Sequence, residues 1–431
     1  MMEPISMAIV VVLCAFTAFL SHMGMAVFHD GLRPVIPEYL EGRMKRPELA
    51  SIAFGLSVGF IASVGIAHTL ATSILNPWLL FLTTDILGVL SPKKWVAPIL
   101  GGVWGALCLT SLSFINNVLT GLPVDMVGAM GTLSDPVVAG FSLFPLVAIF
   151  MQFGWKKGVI SSVITLIARQ LVVVFTTIYP ESVQVFVGVV LLLIFAIAKD
   201  LKDKSAQTAQ ADENVFTERT GRIRKNVVWL MICGALIAAA CNIGIFAGSD
   251  VSIYMLAEAQ KAADPAAAQA LVHQASIAEF IRGLGFIPLI ATTAITTGVY
   301  GIAGLTFIYP VGYLMPNPIF AAIGGAVVIL LEVLLLGIIG KFLGKFPSIR
   351  AASDNIRSAI TTVMEFALLI GSINAVIAMG GYTGFFIGAM IYFINEMTGR
   401  RIMKMAIGPV AAISTGILLN VLHLVGLFPI G

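Results

Sequence analysis

Long apolar runs, each bounded by charged residues, proline or glycine, recur along the whole chain. A helix needs about 20 apolar residues to cross about 30 Å of hydrocarbon. Twelve runs approach that length: 5–28, 50–72, 95–116, 136–153, 158–178, 182–198, 226–248, 275–296, 318–340, 358–379, 383–397 and 406–428. Two shorter stretches, 77–90 and 301–315, are hydrophobic but interrupted. The pattern predicts an all-α polytopic membrane protein of about seven plus seven segments, some of them hairpins or half-helices.

The composition agrees with this pattern and excludes a water-soluble protein. Of the 431 residues, 58% are hydrophobic and only 11% are charged, whereas soluble domains carry roughly 25% charged residues. The net charge of +3 is too small to suggest a nucleic-acid partner, so the expected surroundings are the lipid bilayer. The four cysteines lie in apolar runs without metal-ligand spacing, which indicates packed thiols and no metal site.

Basic residues cluster between the apolar runs and set the orientation of the chain. If all fourteen segments cross the membrane, every cluster falls on one face: 43–46, 93–94, 156–157, 199–225, 341–350 and 400–404. Short cytoplasmic loops are enriched in Lys and Arg. This face is therefore predicted to be cytoplasmic, and both termini are predicted to be periplasmic.

The chain also contains an internal duplication. Matching residues recur at offsets between 220 and 226, and the sequence Ala-Ser-Ile-Ala occurs at both 50–53 and 275–278. The two copies place their basic loops oppositely, which predicts an inverted-topology repeat. We assign residues 1–198 to the first repeat, 199–225 to a cytoplasmic polar linker, and 226–431 to the second repeat. Such repeats often accompany alternating-access transport, although a membrane scaffold, a channel or an enzyme is the alternative.

Ionisable residues inside membrane segments are the default candidates for a functional site, because a charge in hydrocarbon is costly unless it is paired or hydrated. Asp85 follows Thr83 and Thr84 in the short segment 77–90. A carboxylate in a run too short to span comfortably is typical of a discontinuous helix at a binding site. The alternative is a partial crossing in which Asp85 reaches water at the membrane surface.

A second group of candidates lies in the segment 275–296. Glu279 and Arg282 are three residues apart on one helical face, and the hydroxyls of Thr292 and Thr293 follow. Arginine binds carboxylates and phosphates in a bidentate manner, so this group suits an anionic or polyhydroxylated ligand. The alternative is a buried Glu279–Arg282 pair with a structural role only.

A third group follows the first segment. His29, Asp30 and Arg33 lie among helix-breaking glycine and proline residues, and Asp30 and Arg33 can pair if the turn is helical. This stretch is either a broken element lining a cavity near the cytoplasmic exit or an interfacial loop with a surface salt bridge.

Motifs for catalysis are missing from the sequence. We find no Walker motif, no nucleotide-binding glycine loop, no His-Glu-x-x-His and no plausible Ser-His-Asp arrangement. We therefore expect no enzymatic activity, no cofactor and no energy from bound ATP.

Several stretches resemble the bacterial YhfT family, namely 26–34, 51–60, 136–154, 278–286 and 352–357. The resemblance covers essentially the whole chain and implies a bacterial inner-membrane protein, without a substrate that can be transferred.

A fainter similarity links 31–37, Gly-Leu-Arg-Pro-Val-Ile-Pro, to phosphotransferase-system permeases for ascorbate and galactitol. Those permeases are inverted-repeat dimers that use an elevator motion, so the similarity implies a homodimer and a cytoplasmic phosphocarrier-like partner. Residues 38–41 depart from that pattern. The seven-plus-seven count also resembles nucleobase and anion transporters with an elevator fold.

The sequence thus predicts an elevator-type carrier for a small polar, anionic or polyhydroxylated solute bound between the halves. Its energy would come from an ion gradient, with Asp85 or Glu279 as the proton or cation site, or from group translocation. A phosphotransferase component, a channel and a membrane enzyme remain the alternatives.

Overall fold

The computed structural model describes residues 4–176, 178–202 and 213–429, and these are predominantly helical. The helices of the first part of the chain are α1 (Pro4–His22), α2 (Ile36–Leu40), α3 (Arg46–Phe60), α4 (Ile66–Thr72), α5 (Pro77–Leu90), α6 (Val96–Thr120), α7 (Met126–Gly131), α8 (Ser134–Phe141), α9 (Phe144–Phe153), α10 (Trp155–Phe175) and α11 (Pro180–Lys202). Those of the second part are α12 (Glu213–Lys225), α13 (Val227–Asn242), α14 (Asp250–Lys261), α15 (Pro265–Thr297), α16 (Ile308–Leu314), α17 (Pro318–Gly344), α18 (Pro347–Met397) and α19 (Lys404–Leu424).

Eight helical stretches among the described residues are long and apolar enough to cross a membrane, or nine if the bent pair α12–α13 is one span. The chain is therefore a multi-pass, all-α membrane protein. The number is below the predicted fourteen. A π-helical turn (Ile61–Gly65) between α3 and α4 breaks the predicted segment 50–72. The predicted segments 358–379 and 383–397 count together as α18, which non-helical backbone at Gly380 and Gly381 divides.

The polar stretch predicted as a linker is helical where it is described. Helix α11 extends to Lys202, and α12 packs against α15 and α17. Residues 203–212 lie outside the described residues. The division of the chain at 199–225 stays a prediction.

Two very short strands join the first part of the chain to the second part. Strand β1 (Ala26–Val27) follows α1 and pairs in parallel with β2 (Tyr300–Gly301), which precedes α16. A second parallel bridge joins Leu75, just before α5, to Phe246, just after α13. The backbone here is extended and buried, so its N–H and C=O groups must find partners across the chain. These pairings fix the loops that follow them.

Glycine residues allow two pairs of helices to pack closely against each other. Helix α1 packs along α6, and α13 packs along α17. A Cβ atom added to Gly101 would lie 2.2 Å from the carbonyl oxygen of Cys14, and one added to Gly325 would lie 2.3 Å from that of Gly234. Only glycine permits these distances, as in other membrane helix pairs with small residues at the contact. Apolar side chains of α10 and α17 point outward, as a lipid-facing surface requires.

Candidate functional site

A cavity of about 370 Å³ lies beside the β1–β2 pair. The loops after β1 and β2, the start of α14, the middle of α15 and the first part of α18 form its walls, with aromatic side chains between them. Its volume is in the range of small-molecule sites. Six side chains that can carry charge line it: His29, Asp30, Arg33, Asp250, Arg282 and Arg357.

Asp85 holds one of these walls in place. Its fully buried carboxylate accepts hydrogen bonds from the Ser21 hydroxyl at 2.6 Å, the Phe28 backbone N–H at 2.8 Å and the His29 backbone N–H at 3.0 Å. The two backbone donors belong to the loop after β1, and a buried N–H group needs an acceptor. Asp85 therefore positions the cavity wall from behind and is not part of the lining.

Thr83 and Thr84 lie further from the cavity than the sequence suggested. Thr84 accepts a hydrogen bond from Thr17 at 3.0 Å and donates to the Phe81 carbonyl. Thr83 donates to the Leu79 carbonyl at 2.9 Å. These bonds tie α5 to itself and to α1, so neither hydroxyl lines the cavity.

The loop after β1 carries His29, Asp30 and Arg33 into the cavity lining. Arg33 pairs with Asp30 at 3.0 Å and donates to the Ile290 carbonyl of α15 at 3.4 Å. The Arg33 residue is only 2% exposed, while the Asp30 side chain is 26% exposed, so the arginine side of the pair is buried. The geometry favours the cavity-lining interpretation of this stretch over the interfacial one.

The His29 ring has its two nitrogens engaged. Nδ1 accepts from the Gly31 backbone N–H at 2.9 Å, and Nε2 lies 3.1 Å from the Leu56 carbonyl oxygen. This network assigns the proton to Nε2, since Nδ1 faces a donor and Nε2 faces an acceptor. The neutral tautomer satisfies both contacts.

Glu279 and Arg282 form the buried pair that their spacing indicated. Arg282 Nε lies 3.0 Å from a Glu279 carboxylate oxygen, and the other oxygen accepts from the hydroxyls of Ser249 and Ser252. The Arg282 guanidinium also covers the Phe286 ring at 5.1 Å. Arg282 and Phe286 line the cavity, whereas Glu279 lies behind them.

Thr292 and Thr293 line a second cavity of about 450 Å³, which lies beside Pro34 and Pro37. Arg357 contributes to both cavities, and it donates to the Thr293 hydroxyl at 3.0 Å. The structure thus brings His29, Asp30, Arg33 and Arg282 to one cavity and the two threonines to its neighbour.

Three residues that line the main cavity or hold its walls were not among the predicted site residues. Asp250 and Arg357 line the main cavity. Glu332, from α17, accepts from the Tyr300 hydroxyl at 3.0 Å and from the Leu305 backbone N–H at 2.8 Å. Glu332 thus holds the loop after β2 as Asp85 holds the loop after β1. The available signal was the recurrence of Asp30 as Asp250 at an offset of 220.

The cavity lining combines acidic, basic and aromatic side chains. Guanidinium groups, carboxylates and aromatic faces together can bind charged or polyhydroxylated solutes.

Comparisons with known proteins agree on one family. A family model, YhfT, described as a protein of unknown function, matches residues 6–428. The chain is 56% identical over 427 residues to the "Uncharacterized protein YhfT" of Escherichia coli (strain K12), covering 98% of each chain. No solved structure matches significantly. The similarity to phosphotransferase-system permeases is not shown by these matches and stays a prediction. The chain belongs to the YhfT family.

Proposed function

We propose that this protein is a carrier that moves a small polar, anionic or polyhydroxylated solute across the bacterial inner membrane by alternating access. The observation that carries the proposal is the charged cavity beside the β1–β2 pair. Residues from both predicted repeats line it, among them Arg33 from the first and Arg282 from the second. Solute sites of carriers with repeated halves lie at this kind of interface.

The strand pairings support two copies of one folding unit. Ala26 pairs with Tyr300, and Phe246 pairs with Leu75. Phe246 lies 220 residues after Ala26, and Tyr300 lies 225 residues after Leu75. In one pairing, the first extended segment of the first predicted copy meets the second extended segment of the second copy. In the other pairing, the first segment of the second copy meets the second segment of the first copy. A pseudo-two-fold axis between residues 1–198 and 226–431 accounts for this exchange.

The glycine contacts support the same relationship. Gly101 meets Cys14 and Gly325 meets Gly234, at nearly the same distance from a carbonyl oxygen. Cys14 and Gly234 are 220 residues apart, while Gly101 and Gly325 are 224 apart. Equivalent helices thus pack through equivalent positions. The basic loops lie at opposite places in the two copies, so the proposal includes an inverted repeat with the linker in the cytoplasm and both termini in the periplasm.

An elevator-type motion and a homodimer complete the proposal. In this arrangement the bundle that holds the cavity moves relative to a scaffold that contacts a second copy. A carrier saturates with solute, whereas a channel gives unsaturable flux and a membrane enzyme converts its substrate without a gradient. A phosphocarrier partner would make uptake depend on phosphorylation of the solute.

Transport in proteoliposomes tests the proposal. The purified protein is first screened by thermal shift against sugar acids, amino acids, nucleobases and phosphonates, because a bound ligand raises stability. A radiolabelled hit is then offered to proteoliposomes with and without the same solute inside. We expect saturable uptake and accelerated exchange against internal solute. Linear flux, or binding by no compound of the library, contradicts the proposal.

A further inference from the structure

The charges that line the main cavity are only partly balanced by one another. Arg33 is paired with Asp30 at 3.0 Å, and Arg282 is paired with Glu279 at 3.0 Å. Two side chains of opposite sign remain on the lining after these pairs are counted: the Asp250 carboxylate and the Arg357 guanidinium.

Asp250 is buried without a counter-charge in contact. The residue is 4% exposed, and neither carboxylate oxygen accepts a hydrogen bond from another described residue. No salt bridge to Asp250 occurs in the described part of the chain. Arg282 acts on it electrostatically, but the ion pair of that guanidinium is with Glu279, at 3.0 Å. A buried charge is normally paired. The Asp250 carboxylate is therefore available to pair with a cationic group of a bound solute.

The positive charge of the Arg357 guanidinium is only weakly balanced by the protein. Its only ion pair among the described residues is a 3.4 Å contact with Asp354, whose side chain is 79% exposed. One terminal nitrogen donates to the Thr293 hydroxyl, while Nε has no hydrogen-bond partner. Exposed ion pairs are weak because water and salt screen them. The guanidinium is therefore available for an acidic group inside the cavity.

We propose that the cavity binds a zwitterionic solute, with an organic ammonium group at Asp250 and a carboxylate or phosphonate at Arg357. This inference rests on the proposed carrier function and narrows its substrate class. A simple anion would leave Asp250 uncompensated, and a simple cation would leave Arg357 without a partner. The apolar walls formed by Trp78 and Phe286 lower the local dielectric, which strengthens both ionic contacts.

Ligand binding to the purified full-length protein tests the inference. The probes are glycine, β-alanine, 4-aminobutyrate and 2-aminoethylphosphonate, each with the matching acid and the matching amine that lack one group. We expect at least one zwitterion to raise the melting temperature by about 3 °C or more at saturation. The matching acid and amine shift it far less, since each leaves one charge unpaired.

Variants then assign the two ends. Asp250→Asn and Arg357→Gln should each abolish the zwitterion-induced shift. Glu258→Gln serves as the control, because Glu258 is exposed on the same helix as Asp250. The comparison of probes on the wild-type protein needs no variant, so a variant that fails to fold does not weaken the test.

The outcomes separate this inference from the carrier proposal. If acids stabilise the protein as much as zwitterions, or if Asp250→Asn keeps the zwitterion shift, the zwitterion inference is wrong while a carrier of anions survives. No shift with any zwitterion also contradicts it. Among these binding results, the absence of a shift with every compound of the wider library, including sugar acids and nucleobases, would contradict the carrier proposal as well.

Discussion

The Asp85 carboxylate accepts the backbone N–H of His29 at 3.0 Å and thereby fixes the loop that carries His29, Asp30 and Arg33 into the cavity. Glu332 plays the matching part for the loop after β2 through Leu305. In membranes, irregular backbone is stable only where its polar groups are satisfied within the protein. Two buried carboxylates thus maintain the two non-helical walls of the site.

Asp85→Asn should disrupt the site without a direct contact to solute. The amide lacks the charge that strengthens bonds to Phe28 and His29, and hydrogen bonds to charged groups are worth about 1.5–3 kcal/mol each. We expect a lower melting temperature and loss of uptake in a chain that still folds. Thr83→Val is the control, because its hydroxyl bonds only a carbonyl of its own helix. Wild-type uptake by Asp85→Asn would contradict the positioning role.

Arg282→Ala should destabilise the protein by about 3–5 kcal/mol, because it leaves the Glu279 carboxylate buried without its counter-charge. The double variant Glu279→Gln/Arg282→Met should recover most of the stability, since the amide still accepts from Ser249 and Ser252. Uptake should stay absent in both variants. Thermal unfolding in detergent and proteoliposome uptake measure the two effects. Recovery of uptake by the double variant would show that Arg282 has a structural role only.

Gly101→Ala should destabilise the α1–α6 contact. The added methyl group would lie 2.2 Å from the Cys14 carbonyl oxygen, and overpacking of this kind costs about 1–3 kcal/mol. Gly102→Ala is the matched control, because its nearest neighbour would lie at an ordinary 3.5 Å. The melting temperature of Gly101→Ala should therefore be lower than that of Gly102→Ala. Equal values would show that the helices do not approach as closely as described.

The orientation of the chain is also open to measurement. Gln269 lies on an exposed turn at the start of α15, in the predicted periplasmic loop, and Lys94 lies in a predicted cytoplasmic loop. Each is replaced by cysteine in a separate variant. The four native cysteines are buried, so they contribute little background. A membrane-impermeant maleimide should label Gln269→Cys in intact spheroplasts and Lys94→Cys only in inverted vesicles. The reverse pattern would overturn the assignment from basic loops.

Hydrophobic patterning predicted most helices, because a lipid-spanning segment must be apolar along its length. It placed a break after residue 379, where Gly380 and Gly381 divide α18, but it did not predict the π-helical turn at Ile61–Gly65 inside the run 50–72.

The candidate site was predicted in part. Arg33 and Arg282 line the cavity, whereas Asp85 and Glu279 lie behind its walls. Spacing along one helix can indicate a local pair, but which side of a wall a carboxylate occupies depends on tertiary packing. The fourteen-segment prediction places Asp250 in the periplasmic loop 250–274, which holds almost no Lys or Arg. The structure buries it beside a neighbouring helix, a placement that no local pattern reveals.

The most direct measurement of the central claim is the accessibility of the cavity from the two sides of the membrane. Ser358 lines the cavity, and Ser358→Cys can be labelled with an impermeant thiol reagent in right-side-out and in inverted vesicles. We expect labelling from both sides at different rates, with a bound solute slowing one rate more than the other. Labelling from one side only, or equal rates that solute does not change, would contradict alternating access.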